Sequence, residues 1–239
     1  MRFSLMIMAK SPIPGQVKTR LCPPLSPEEA ADVAAASLLD TVAAALETPG
    51  AVPVVALAGV VRREDVRDAL AECVVIPQRG STFAERLVHA HADVARFRMP
   101  VLQIGMDTPQ VTPSLLESCA EFGEAALGFA QDGGWWALGL RDPLRAAVLR
   151  DVPMSRADTG VRTLEALLGM EVRTLPVLSD VDTIEDAVAV AREVPGSRFA
   201  AAVAAVGRAA GQVSGGGAGR PGAPAAPPPS VWAAAAVTS

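Results

Sequence analysis

Tyrosine is absent from the 239-residue chain, and of its 21 cationic side chains only Lys10 and Lys18 are lysines. Cysteine is as scarce: Cys22, Cys73 and Cys119 are odd in number, far apart and without Cys-x-x-Cys spacing, which argues against a disulfide scaffold or a structural zinc site. The two histidines, His89 and His91, stand two apart in a helical stretch and so point to different faces, where a metal pair would want i, i+4 spacing. No apolar run reaches the roughly 18 uncharged residues of a membrane span, and Met1 to Ala9 is too short for a signal-peptide core with a cleavage site. A cytoplasmic location without a membrane span is expected. Acid is missing from residues 195–239, which carry Arg198, Arg208 and Arg220, so the net charge of −5 becomes −8 over residues 1–194. That acidic body argues against a nucleic-acid partner while leaving room for a local basic pocket.

What is present is half apolar and one-fifth charged, the balance of a globular protein with a real core. The final 45 residues hold 8 Gly and 6 Pro, a composition that predicts a disordered tail over 195–239, with an Ala-rich helix near 199–210 at its start. The remaining residues, 1–194, are the size of one domain. Along them, strand-like and helix-like segments alternate. Residues 2–9 read as a strand buried on both faces. Ser26-Pro-Glu-Glu29 opens a long helix with a cap, a proline at its first position and acids in its first turn. Further strands are expected at 52–58, 73–76, 101–105, 125–130, 135–140 and 172–175, and helices at 62–71, 83–96, 112–121, 143–149, 159–168 and 183–193. This alternation implies an α/β fold with a mostly parallel sheet covered on both faces. Ligands bind such sheets at the carboxyl ends of the strands, so the loops after Ala9, Gly105 and Ala130 are the places to look.

Four segments carry candidate chemistry. The loop after the first strand, Lys10-Ser-Pro-Ile-Pro-Gly15-Gln-Val-Lys18-Thr-Arg20, holds both lysines of a chain that otherwise uses arginine. With Gly15 freeing the backbone, Lys10, Lys18 and Arg20 could cradle a pyrophosphate, although the spacing is not that of a Walker loop. The alternative is a solvated basic loop. In Gly105-Met-Asp107-Thr-Pro109 a carboxylate ends a buried strand, where it could hold a divalent ion or simply form a turn. Asp132-Gly133-Gly134-Trp135-Trp136 offers a general base or second metal ligand, glycines that admit a ligand to the backbone, and indoles that could stack on one. A hairpin turn explains the same residues. Asp180-Val-Asp182-Thr183 contains two acids but also places Asp182 or Thr183 as a helix cap. Arg156, in Ser155-Arg-Ala-Asp-Thr159, is a weaker phosphate candidate.

Taken in order, Met8-Ala-Lys-Ser-Pro-Ile-Pro-Gly-Gln-Val-Lys-Thr-Arg-Leu21, Ile104-Gly-Met-Asp-Thr-Pro109, Asp132-Gly-Gly134, Val152-Pro-Met-Ser155 and Asp180-Val-Asp-Thr-Ile-Glu-Asp186 resemble a bacterial family of GT-A-like transferases. Its members are labelled glycosyltransferases or arsenosugar-biosynthesis glycosyltransferases and belong to the nucleotide-diphospho-sugar transferase superfamily. The resemblance covers residues 2–194. It implies a GT-A-like three-layer sandwich and a metal-dependent glycosyltransferase that moves a sugar from a nucleoside diphosphate sugar to a small acceptor. On that resemblance Lys10, Lys18 and Arg20 would bind nucleotide phosphates, Asp107 would hold Mg²⁺ or Mn²⁺, and Asp132 would serve the acceptor, with Gly133, Gly134 and Trp135 as substrate contacts. Where the family pattern has tyrosine after Asp-Gly-Gly, this chain has Trp135, so a phenol hydroxyl is not available there. A nucleotidyltransferase taking a nucleoside triphosphate and a phosphorylated acceptor would use the same cations. A non-catalytic scaffold would need none of them.

Overall fold

Residues 3–10, Phe-Ser-Leu-Met-Ile-Met-Ala-Lys, form a central strand β1 that is buried along all but its last residue. In the computed structural model, which describes the backbone of residues 1–214 and the side chains of residues 1–208, six more strands join it. They are β2 (Ala51–Ala58), β3 (Val74–Pro77), β4 (Val101–Gly105), β5 (Ala125–Ala130), β6 (Trp135–Leu140) and β7 (Val172–Leu178). The sheet order is β3-β2-β1-β4-β6-β5-β7. Every neighbouring pair is parallel except those of β6, which runs antiparallel to both β4 and β5. The expected mostly parallel α/β sheet is therefore the sheet observed.

Side-chain alternation on β1 divides the core between two helical layers. Phe3, Leu5 and Ile7 pack with Leu38, Val66 and Leu116 from α1 (Pro27–Glu47), α2 (Glu64–Leu70) and α4 (Pro113–Cys119). Met6 and Met8 face the other way, toward Leu87 of α3 (Phe83–Val94) and Leu149. Sheet and two helical layers make the three-layer sandwich. The start of α1 is as written in the sequence: Ser26 and Glu29 form a reciprocal capping box, with Pro27 at the first helical position. Residues 143–151 coil as a 3₁₀ helix capped by Asp142, not as an α-helix. Strand β7 continues through Pro176 to Leu178, beyond the expected end at 175, because it lies on the sheet edge, where proline leaves no ladder bond unmade.

The sharpest difference concerns residue 194, taken from composition as the end of the domain. Helix α6 (Ile184–Glu193) is followed directly by α7 (Arg198–Ser214). Phe199 and Val203 of α7 are buried with Leu21, Leu25, Val33 and Val190 in a third apolar cluster. Asp40 of α1 receives the backbone N–H groups of Arg198 (3.3 Å) and Phe199 (2.8 Å), so an acid from another helix caps the start of α7. The Ala-rich helix expected near 199–210 is present, and Phe199 and Val203 bury against a cluster that includes Ala30 and Val33 of α1. The rest of the expected tail, 215–239, lies outside the described residues. No described helix is long and apolar enough to cross a membrane.

Removing the Phe199 ring should therefore cost what a core truncation costs. Phe199→Ala is expected to lose about 3–5 kcal/mol, which a thermal melt would register as a drop of about 10 °C. A change within about 0.5 kcal/mol, as for a surface position, would return α7 to the tail.

Candidate functional site

Six strands share one direction, so their carboxyl ends open on one side of the sheet, and there a cavity of about 640 Å³ collects residues from loops far apart in sequence. Lys10, Arg20, Asp107, Asp132, Gly134 and Trp135 all line it, as do Asp180 and Asp182. Lys18 lies in an adjoining recess with Lys10, Arg20, Asp107 and Asp182. The loops expected to hold the chemistry are thus brought together.

Lys18 is the centre of the arrangement. Its side chain is only 6% exposed, and its ammonium lies 2.8 Å from Oδ1 of Asp107 and 3.9 Å from Oδ1 of Asp182 while donating to the carbonyl of Val181. Its backbone is left-handed, with φ at 49°, a conformation that β-carbon-bearing residues adopt only when their surroundings hold them there. The Val181 N–H in turn donates to the Asp107 carbonyl at 3.2 Å. Three loops, after β1, β4 and β7, are closed into one ring of contacts. The β4 loop is fixed from below as well, where Ser37 of α1 donates to the Met106 carbonyl at 2.6 Å. Arg20 pairs with Oδ2 of Asp182 at 2.8 Å, and Lys10 donates to the Gln16 carbonyl at 2.5 Å. Thr183, not Asp182, caps α6, in a capping box with Asp186, which frees Asp182 for the two cations.

Asp180, one of the two acids of the Asp180-Val-Asp182 segment, is half-buried in this cavity. Burial first, and then the nearby charges of Asp107 and Asp132, push its carboxyl up to about 7. Oδ1 of Asp107 is itself buried and, although the Lys18 ammonium lies 2.8 Å away, accepts no hydrogen bond. Among the described residues no three Asp, Glu, His or Cys side chains close around one point. Two neighbouring hard oxygen donors, one lacking a hydrogen-bond partner, nevertheless fit a magnesium-type ion, which takes one or two carboxylates and completes its shell with substrate oxygens and water.

The other predicted residues divide. Asp132 sits in the β5–β6 hairpin, where its Oδ1 accepts the Gly134 N–H at 2.8 Å, leaving Oδ2 for other work. Gly133 does not line the cavity: its φ is +88°, and a β-carbon there would lie 1.9 Å from the Ala157 carbonyl oxygen. Its service is to let the hairpin press against the segment before α5 (Thr159–Ala166). Gly15, at φ +73°, makes the turn of the first loop in open space and lines neither recess. Both tryptophans border the cavity, Trp135 half-buried and Trp136 almost wholly buried. Trp136 is buried against Gly128 and donates to the Pro176 carbonyl at 2.8 Å.

Sequence reading passed over Gln103, Phe83 and Arg86, which also line the cavity. Gln103 carried a signal, being the one polar side chain in the apolar run Val-Leu-Gln-Ile of β4. It is held from behind by buried His91, whose Nε2–H donates to Oε1 at 2.9 Å. Burial pulls the His91 imidazole down to about 4, so it stays neutral and serves the floor of the site, not a metal.

A bacterial family described as "Uncharacterized protein conserved in bacteria (DUF2064)" matches residues 41–156, a span that includes Asp107 and Asp132 and stops before Asp180. No curated protein matches the sequence. Among solved structures, the chain is similar to a provisionally named nucleotide-diphospho-sugar transferase from Desulfovibrio desulfuricans G20, with 23% identity over 90% of this chain and 98% of that one and a TM-score of 0.76. A cytidylyltransferase from Leptospira borgpetersenii is 11% identical over 92% of this chain and 100% of its own, with a TM-score of 0.52. A 4-diphosphocytidyl-2C-methyl-D-erythritol synthase from Anaerococcus prevotii is 10% identical, covering 87% and 97%, at 0.51. The fold is accordingly that of the nucleotide-diphospho-sugar and cytidylyl transferases.

The position of Asp180 has a consequence for stability. The unfolded chain releases this proton near 3.8, whereas the folded chain keeps it to about 7, so the folded state loses stability as pH rises through that window. Asp180→Asn is expected to melt several degrees higher than the native protein at pH 8, the gain shrinking as pH is lowered through 7 toward 4. Equal melting temperatures at pH 8 would show the carboxylate to be unstrained.

Proposed function

We propose that the protein is a metal-dependent glycosyltransferase that moves a sugar from a nucleoside diphosphate sugar to a small acceptor. The observation that carries this reading is the meeting of Lys10, Lys18 and Arg20 with Asp107 and Asp180 at the carboxyl ends of the strands, cations on one side and hard oxygen donors on the other. The likeness in fold to transferases of nucleotide-linked groups supports it, and the narrower resemblance to the arsenosugar-type glycosyltransferases is part of the same reading.

In this mechanism a diphosphate enters between the first loop and the loop after β4. Arg20 offers a planar fork and Lys10 and Lys18 offer point charges to its oxygens. A divalent ion, held by Asp107 and Asp180 when bound, would supply further positive charge where the leaving diphosphate gathers negative charge, the kind of electrostatic stabilisation that is usually the largest catalytic contribution. Oδ2 of Asp132 takes the proton of the acceptor hydroxyl. The acceptor oxygen forms the new bond to the anomeric carbon, whose bond to the diphosphate oxygen breaks with its electron pair leaving on the diphosphate. Trp135 walls the acceptor side of the reacting centre.

Lys18 then has two states. Without ligand it neutralises Asp107 and Asp182; with a diphosphate present, its charge is shared with the phosphate oxygens. Lys18→Met is therefore expected to act with opposite signs: Mn²⁺ alone binds more tightly, while nucleoside diphosphate binds at least about tenfold more weakly, the loss of one charge-assisted contact. Calorimetry on the native protein with each common nucleoside diphosphate plus Mn²⁺ tests the reading itself. Binding of one of them, abolished by Asp107→Ala, is the expected result, and binding of none would overturn it. The cytidylyltransferase-like fold favours a second reading, nucleotidyl transfer to a phosphorylated acceptor. Release of pyrophosphate from a nucleoside triphosphate would identify that reaction, and release of a nucleoside diphosphate the first.

A further inference from the structure

The two walls of the cavity differ in their charge balance. On the wall built from the loops after β1, β4 and β7, each of Lys18 and Arg20 already faces a carboxylate. The opposite wall is made by the first turn of α3 and the segment before α5, with Phe83, Arg86, Trp135, Met154 and Arg156 turned to the cavity. Arg86 stands 5.5 Å from the centre of the Phe83 ring and, among the described residues, has no carboxylate within ion-pair distance. Arg156 has one, Asp158, with Nε 3.3 Å from its Oδ1. Asp158 is itself shared with Arg162, whose Nε lies 2.6 Å from its Oδ2, so in a body whose net charge is −8 this partly aromatic wall has an excess of cationic donors.

The segment that carries Arg156 is held firmly. The buried Thr159 hydroxyl donates to the Pro153 carbonyl at 2.9 Å and accepts the Arg156 N–H at 3.0 Å, closing a tight turn. Ser155, inside that turn, is left-handed with φ at 59°. A non-glycine residue held in this conformation marks a turn over-determined by its surroundings, a feature that clusters at ligand clamps. The Gly160 N–H donates to the Gly133 carbonyl at 2.8 Å, tying the turn to the hairpin that presents Asp132. Leu87 of α3 and Leu149 and Val152 before the turn share one apolar cluster, so the two elements that bring Arg86 and Arg156 to the cavity are packed into the same layer.

We propose that Arg86 and Arg156 form an anion-reading subsite, so that the acceptor is a small molecule bearing a carboxylate or phosphate beside an apolar or planar portion that lies against Phe83 and Trp135. This rests on the reading of the cavity as a group-transfer site and adds the chemical class of its acceptor. Guanidinium groups grip either anion through paired N–H donors, and the neighbouring rings favour a flat partner.

The test titrates the full chain, without nucleotide, with benzoate, phenyl phosphate and neutral benzyl alcohol, following tryptophan fluorescence and heat. Benzoate or phenyl phosphate is expected to bind and benzyl alcohol not, and the stronger of the two anions separates a carboxylate acceptor from a phosphorylated one. Arg86→Met and Arg156→Met should each weaken the preferred anion by about tenfold or more, as for the loss of a charged hydrogen-bonded pair. Arg86→Lys should restore part of the affinity, and Arg20→Met, on the opposite wall, should leave it within about twofold. Melting temperatures of the variants confirm folding. The subsite is overturned if neither anion binds, if benzyl alcohol binds equally well, or if affinity falls only in Arg20→Met. Failure of the transfer reading has a different signature, since it would leave anion binding intact while every nucleoside diphosphate fails to bind with Mn²⁺.

Discussion

The buried ammonium of Lys18 is the contact on which the site depends. It ties the loop after β1 to the loops after β4 and β7 through two carboxylates and one carbonyl. The backbone hydrogen bonds within the first loop, including a 3₁₀ turn at Thr19–Leu21, are local to it, and the Lys18 charge is what links it to the other two. Removing one partner of a buried ion pair is costly because the other charge is left uncompensated. The same pairing keeps Asp107 and Asp182 from repelling each other across a narrow gap, and it works against the crowding that raises the Asp180 proton affinity. Acids brought close together repel one another, and here the chain places its own cation among them.

Much of this was legible in the sequence, for identifiable reasons. The alternation of apolar runs with capped, acid-led segments yields the α/β sheet, since capping boxes such as Ser26 with Glu29 are local and need no tertiary knowledge. The rarity of lysine pointed to the first loop because composition made Lys10 and Lys18 stand out, and the structure places both beside the acids. Asp180 was legible as one of two acids in a candidate segment, but a helix start explained the same residues. Its membership of the site comes from burial and from Asp107 and Asp132, which lie about seventy and fifty residues earlier in the sequence. Arg86 was hidden, as one arginine among many on an amphipathic helix. The glycines after Asp132 were legible as close-approach residues, but the object approached by Gly133 is backbone, not ligand, a distinction that spacing cannot make.

Helix α7 shows how composition can mislead in the other direction. A helix was legible near 199–210 but its packing was not: Phe199 and Val203 are buried in a cluster with Ala30 and Val33 of α1 and with Leu21, Leu25 and Val190. Asp40 then secures the start of α7 by accepting two of the backbone N–H groups that a helix leaves unpaired at its first turn. Because Leu21 and Leu25 belong to the same cluster, α7 also supports the end of the cation-bearing loop from behind.

The contact between Gly133 and Ala157 has a wider meaning. The hairpin that presents Asp132 and the turn that presents Arg156 touch backbone to backbone, with no side chain between them to absorb a change in spacing. The two therefore behave as one part. Lengthening either loop would displace the other, so this wall of the cavity can change by exchanging side chains but not by remodelling its path. A descendant with an altered cavity would be expected to keep both loop lengths and the glycine, and to differ at positions such as Phe83, Arg86, Met154 and Arg156 that line it.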